Sequence, residues 1–385
     1  MKLLFAFGTR PEGIKLAPVI LEARRREGIE SLVVSTGQHR EMLEAVLTLF
    51  AIKPDVDLAL MQPGQTLPAL TARAMAAFAP LLQREKPDAV VVQGDTTTAM
   101  VCALAAFYER IPVAHVEAGL RTDRRDAPFP EEVNRRLIGQ LANWHFAPTE
   151  GSRQNLLRDG VQHLGGKIIV TGNTVIDALL LAVDAVKKNP PAHDDLRAAL
   201  DWKSRPGACV ILVTGHRREN FGEPFREFCL GLRDIATAHP EALIVYPVHL
   251  NPQVQAPVRE LLAGVANIRL APVVDYPVFV ALMQAADLII TDSGGVQEEA
   301  PALGKPVLVT RDVTERPEAV QAGGVKLVGP HRQALFDAAD LLLRDPKAYA
   351  EMAKARSPYG DGHAAARCID ALLTKEDSND EDLRT

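Results

Sequence analysis

Long apolar runs are missing from this chain of 385 residues. None approaches the roughly 20 apolar residues that a membrane-spanning helix requires. The opening MKLLFAFGTRP turns polar at Gly8, Thr9 and Arg10, too early for a secretory signal. Aromatics make up only 5% of the residues, which argues against the stacking platforms that hold single-stranded nucleic acid. A net charge of -6 argues against a general polyanion binder, so neither nucleic acid nor membrane is an expected partner. The cysteines, Cys102, Cys209, Cys229 and Cys368, are far apart with no CxxC, as expected of reduced thiols in a cytoplasmic protein. Neither GxGxxG nor GxxxxGK[ST] occurs, so NAD and a P-loop triphosphate are not expected. The histidines show no zinc-ligand spacing. No metal or cofactor is called for, although a Mg²⁺ bridging a diphosphate is left open by the residues alone.

What the chain has is a regular alternation of short apolar runs and longer amphipathic stretches. KLLFAFG, SLVVSTG, DAVVVQGD, VAHVEAG, WHFAPT and KIIVTGN occupy the first half; CVILVTGH, ALIVYPVH, IRLAPV, LIITDSGG, PVLVT and VKLVG the second. Continuous Val/Ile/Leu runs mark strands buried on both faces, as in parallel sheets covered by helices. The length exceeds one ordinary core. The expectation is therefore an α/β protein of two doubly wound, Rossmann-like domains with a ligand cleft between the carboxyl ends of their strands. We assign 1–175 to the first, 176–365 to the second, with prolines and charges gathering at VKKNPPAHDD, and 366–385 to a helix end and an acidic tail. The tail KEDSNDEDLRT is expected to be disordered.

Nearly every run ends in polar residues: Gly8-Thr9-Arg10, Gly94-Asp95-Thr96, Glu117-Ala118-Gly119 and Gly215-His216-Arg217. Asp, Thr and Gly cap helices and close turns routinely. Capping alone does not call for Arg, His and Glu at the same structural position again and again. Ser293-Gly294-Gly295 follows an apolar run and should place backbone N–H groups at the start of a helix, which suits an anion. Glu298 or Glu299 in the following turns would accept from ribose hydroxyls. His115 and Glu117 should lie on one side of a strand, because side chains alternate. Glu131 and Glu132 should open a helix after Pro130, where the macrodipole favours carboxylates. Crowded carboxylates such as Asp95 and Glu117 raise one another's pKa, which suits proton transfer. Arg10, Lys15, Arg217 and Arg316 supply positive charge in the same segments. Together these residues describe an enzyme that binds a nucleotide diphosphate beside an acid–base cluster.

FGTRPEGIKLAPVI, TGQHREML, QGDTTTAM, HVEAGLRT, PFPEEVNRR, TGNTVIDAL, TGHRRENFG, YPVHLNP and TDSGGVQEEAPALGKPVLVTRDVTERPE occur in order from near Met1 to about Val328. This series resembles the non-hydrolysing UDP-N-acetylglucosamine 2-epimerases. The resemblance implies a glycosyltransferase-B-like fold and a cytoplasmic homodimer. It also implies C2 epimerisation of UDP-N-acetylglucosamine to UDP-N-acetylmannosamine through elimination of UDP. Carried over by motif, Arg10, Ser293, Gly294 and Gly295 would meet the diphosphate, Glu299 the ribose and Phe279 the uracil. Lys15, Arg217 and Arg316 would add positive charge, and Asp95, Glu117, Glu131 and His216 match the acid–base candidates. Gln38 and His249 match the pattern of an allosteric activator site, while Glu41 and Gly64 depart from it. The sequence departs again at DRRDAPFP, after GLRT. A hydrolysing epimerase, a glycosyltransferase of the same fold and a non-catalytic UDP-sugar sensor are the rival readings.

Overall fold

The computed structural model describes residues 1–374 other than 38, 39, 63, 315 and 356. The acidic tail and Gln38 lie outside the described residues. Seven strands form the first sheet: β1 (Lys2–Phe7), β2 (Glu30–Ser35), β3 (Val56–Asp57), β4 (Ala89–Gln93), β5 (Val113–Val116), β6 (Trp144–Ala147) and β7 (Lys167–Val170). Their order is β3-β2-β1-β4-β5-β6-β7, parallel throughout. The second sheet holds β8 (Cys209–Thr214), β9 (Ala242–Pro247), β10 (Ile268–Ala271), β11 (Leu288–Thr291), β12 (Val307–Val309) and β13 (Val325–Leu327). Its order, β10-β9-β8-β11-β12-β13, repeats the same winding. Each sheet therefore reverses direction once, at β1/β4 and at β8/β11. Those are the switch points outside which open α/β sheets hold ligands.

The strands read from apolar runs are all present, because helices cover both faces. Every residue of β4 is buried, and Phe5 of β1 lies in register with Val33 on one side and Val91 on the other. Phe78, Leu82, Val90, Ala103 and Ile138 share the core on one face of the first sheet. In the second sheet Phe225, Phe228, Ile244, Tyr246, Leu288 and Leu335 play that part. The short β3 was not anticipated; two residues at a sheet edge carry no apolar run.

Two compact units result, residues 1–178 with the segment from Gly360 onward, and Leu179–Tyr359. The first division falls inside the helix Thr174–Lys188. What brings the C-terminal segment into the first unit is a carboxylate. Asp177 accepts from Ala364 N (3.2 Å) and Ala365 N (2.8 Å), which opens the helix Ala364–Leu373. Arg367 adds a bond to Thr171 O (3.0 Å), and Arg26 pairs with Asp370 (2.8 Å).

Candidate active site

In the first unit the switch point is built by a buried carboxylate. Glu12 accepts from Gly8 N (3.0 Å), Thr9 N (2.7 Å) and Thr96 Oγ1 (2.6 Å), so the turns after β1 and β4 are joined. Thr9 and Glu12 form the capping box of the helix Arg10–Arg25. Burial pushes the Glu12 carboxyl up from its ordinary range, against those hydrogen bonds. Arg10 and Lys15 project from this helix. Lys15 Nζ reaches Glu117 Oε1.

Glu117 does not lie on a strand. β5 ends at Val116, and Glu117 has φ +63°, the left-handed region that residues with a Cβ avoid. The expectation that His115 and Glu117 share a strand face is thereby corrected. The conformation is held on both sides: Gly94 N donates to Val116 O (3.0 Å) and Ala118 N to Phe146 O (3.0 Å). His115 is a structural residue. Its Nε2 meets Gly94 O at 2.7 Å, and burial pushes its pKa down to about 3.

Asp95 follows β4 directly after Gly94. Arg135 from the helix Glu131–Leu141 reaches its Oδ2 at 2.5 Å, and Asn134 Nδ2 donates to its backbone oxygen at 2.9 Å. Burial raises the Asp95 pKa, Arg135 opposes this, and the charge of Glu117 adds to the rise. Of the two glutamates after Pro130, Glu132 is the structural one. It is fully buried, accepts from Thr122 N (3.0 Å) and pairs with Arg135 (3.3 Å) and Arg136 (3.0 Å). Glu131 is left partly exposed at the helix start.

The second unit presents a different chemistry at its switch point. Asp292, buried after β11, accepts from His216 N and Arg217 N through Oδ2 (2.7 Å each). This fixes the turn after β8. The His216 ring lies 3.7 Å (Nδ1 to Oδ1) from Asp292 and stacks on His249 at 5.0 Å between centroids, 9° from parallel. The catalytic and the allosteric candidate thus touch.

Ser293 precedes the helix Gly294–Ala302 and its side chain makes no capping hydrogen bond. Arg316 lies against this helix start. A Cβ on Gly294 would sit 2.7 Å from the guanidinium carbon, so glycine is what lets the cation in. Glu298 of the same helix accepts from Arg316 Nε at 2.7 Å. A Cβ on Gly295 would meet only ordinary contacts. Glu299 accepts from Tyr276 Oη at 2.7 Å, and Phe279 is partly exposed on the same helix, Tyr276–Ala285. A cation at a helix N-terminus opposes the macrodipole, and an anion there satisfies both.

Sequence reasoning assigned no role to Gln93, Asn173, Asp292 or Tyr276. Asn173 lies in the motif TGNTVIDAL and Asp292 in TDSGG. The groups they hold, Glu117 for one and the His216 and Arg217 N–H groups for the other, are distant in sequence. Among the described residues no group of three or more His, Cys, Asp or Glu is arranged to hold a metal ion.

A family model described as UDP-N-acetylglucosamine 2-epimerase matches residues 21–373. The UDP-N-acetylglucosamine 2-epimerase of Escherichia coli (strain K12) is 54% identical over 372 residues, 97% of this chain and 98% of that protein. That of Yersinia pestis is 54% identical over 375 residues, with the same coverage. The crystal structure of the Neisseria meningitidis UDP-GlcNAc 2-epimerase bound to UDP-GlcNAc has a TM-score of 0.87 at 46% identity, covering 97% of this chain and 100% of that one. A Methanocaldococcus jannaschii UDP-GlcNAc 2-epimerase in complex with UDP-GlcNAc and UDP has a TM-score of 0.78 at 34% identity, covering 97% and 99%. With a matching family model over most of its length and relatives of more than half identical sequence, the chain belongs to the UDP-N-acetylglucosamine 2-epimerase family.

Proposed function

We propose that this enzyme interconverts UDP-N-acetylglucosamine and UDP-N-acetylmannosamine by eliminating UDP to 2-acetamidoglucal and adding it back. The observation that carries the reading is the Arg316 guanidinium at the start of the helix Gly294–Ala302, with Gly294 leaving it room. A pyrophosphate there receives the cation and the first N–H groups of the helix together, which stabilises UDP as it departs. Ser293, Gly295, Arg10 and Arg217 add donors to the diphosphate, Glu299 takes the ribose, and Phe279 packs on the uracil.

C2 carries an acetamido group, so its proton is not exchanged by oxidising that carbon. In the elimination a base takes the C2 proton, its electrons form the C1=C2 bond, and the C1–O pair leaves with the β-phosphate. Re-addition needs an acid on the other face. Asp95, Glu117, Glu131 and His216 are the groups for these transfers, and Lys15 offsets their negative charge. The environments of Asp95 and Glu117 differ: Arg135 faces Asp95, while Lys15, Asn173 and Gln93 donate to Glu117. We assign the enzyme to the cytoplasm, which suits its unpaired cysteines, and to a homodimer. Gln38 and His249 are proposed as activator contacts. Among the described residues no helix is long and apolar enough to cross a membrane.

The test is proton NMR of UDP-N-acetylglucosamine with the enzyme in D₂O, without NAD or an acceptor. UDP-N-acetylmannosamine carrying deuterium at C2 is the expected product. Free N-acetylmannosamine with UDP would identify a hydrolysing enzyme instead. Turnover only with an acceptor, without deuterium at C2, would identify a glycosyltransferase.

A further inference from the structure

TGNTVIDAL is a motif the proposed chemistry leaves unused, yet its asparagine points at the centre of it. Asn173 is 2% exposed, and its Nδ2 donates to Glu117 Oε1 at 3.1 Å. Its amide orientation is set independently: Oδ1 accepts from Val175 N at 3.0 Å at the start of the helix Thr174–Lys188, so the NH₂ end must face the glutamate. On the other side Gln93, the last residue of β4 and 3% exposed, donates through Nε2 to Glu117 Oε2. Lys15 donates to Oε1 as well.

Both oxygens of Glu117 therefore accept from N–H donors. A protonated carboxyl must turn one oxygen into a donor, and an amide NH₂ or an ammonium gives it nothing to donate to. A buried carboxylate is stabilised by such charge-assisted bonds and is costly without them. The positive φ of Glu117 points the same way. A non-glycine residue held in the left-handed region carries strain that persists only where its neighbours over-determine it.

We propose that Asn173 and Gln93 are positioning residues for Glu117, holding its carboxylate ionised and in one orientation so that it enters turnover as the base that receives the C2 proton. This rests on the epimerase reading above. The proton ends on Glu117, the C2–H electrons become the C1=C2 bond, and the C1–O pair leaves with UDP. On re-addition the acid on the other face gives C2 its new proton. Glu117 passes the proton it took to solvent before the next turnover, which restores its ionised state with Asn173, Gln93 and Lys15 donating.

The experiment compares wild type with Asn173→Ser, Asn173→Asp and Gln93→Met, by steady-state kinetics on UDP-N-acetylglucosamine across pH. Ser and Asp keep an acceptor for Val175 N, so the helix start is preserved; Asp removes the donor to Glu117, and Ser replaces it with a hydroxyl set back by one bond. Met removes the second donor at similar side-chain length and lies away from that helix. Each variant is expected to lose about tenfold or more in kcat with KM within about twofold of wild type. The acidic limb of the kcat profile moves to higher pH, because a carboxylate that loses donors binds its proton more readily. It moves furthest in Asn173→Asp, where a second negative charge faces the first. Variants with wild-type kcat, or with the loss in KM and the acidic limb unmoved, overturn the inference. Should the Asn173 variants fail to fold by circular dichroism, Gln93→Met decides by the same criteria. A wild-type enzyme that leaves the substrate unchanged overturns the function and this inference together. A wild type that epimerises beside unaffected variants overturns this inference alone.

Discussion

Two fully buried histidines should make the first unit acid-sensitive well above the range where carboxylates titrate. His115 of β5 and His145 of β6 are in register on neighbouring strands. Burial pushes their pKa values down to about 3 and about 4, in His115 against its bond to Gly94 O. In the unfolded chain a histidine titrates near 6.5. A depressed folded value means that, as pH falls below about 6.5, the unfolded chain takes up protons the folded one refuses, and stability drops. At about pH 5.5 each histidine costs about 1.4 kcal/mol, and the pair about 3 kcal/mol. With a urea slope of about 2–3 kcal/mol per M, that is a midpoint lowered by about 1 M relative to neutral pH. The two tryptophans, Trp144 and Trp202, lie in different units, so Trp202→Phe leaves Trp144, beside His145, to report the first unit alone. Glu12, Asp95 and Asp177 have raised values and act with the opposite sign, regaining stability as pH falls through them. The decisive comparison is therefore His145→Gln in the same background, which should abolish about 1.4 kcal/mol of the acid sensitivity at about pH 5.5. An equal pH dependence with and without His145 would refute the reasoning.

Gly294→Ala drives a methyl group into the Arg316 guanidinium and should raise KM for UDP-N-acetylglucosamine by about tenfold or more, with UDP binding by calorimetry weakened in step. Asp95→Asn should lower kcat by about a hundredfold or more while the circular dichroism spectrum is unchanged; wild-type turnover would remove Asp95 from the proton transfers. Asp177→Ala withdraws the acceptor of two N–H groups at the start of Ala364–Leu373. We expect a loss of about 1–2 kcal/mol, seen as faster amide hydrogen exchange in that helix.

The strands were legible because parallel sheets covered on both faces demand continuous apolar runs, and β1 and β8 supply them without interruption. β3, at two residues, offers no such run. Strand ends could be read as polar positions, yet the local geometry of the most telling one could not. Nothing in VAHVEAG says that the glutamate leaves the strand and adopts a positive φ, since that depends on hydrogen bonds from Gly94 and Ala118 across the sheet. The same holds for Asn173 and Asp177. Their partners are distant in sequence, Glu117 for one and Ala364 and Ala365 for the other, and no local pattern encodes such a pairing. Ser293-Gly294-Gly295 was legible as a helix start, but Gly294 turns out to accommodate a side chain of the protein itself, Arg316.

The bond from Asp177 to the start of the last described helix also orders events on the ribosome. The chain leaves the first unit at Ala178, builds the whole of Leu179–Tyr359, and only then returns at Gly360. Domains fold as units while synthesis proceeds from the N-terminus. The seven-stranded sheet emerges before the second unit, but Asp177 must wait for Ala364 and Ala365, which follow the whole of Leu179–Tyr359. Leu179–Tyr359 is an insertion that has fully emerged before its host is finished, and a nascent chain arrested before Ala364 would carry an Asp177 carboxylate without the helix it caps.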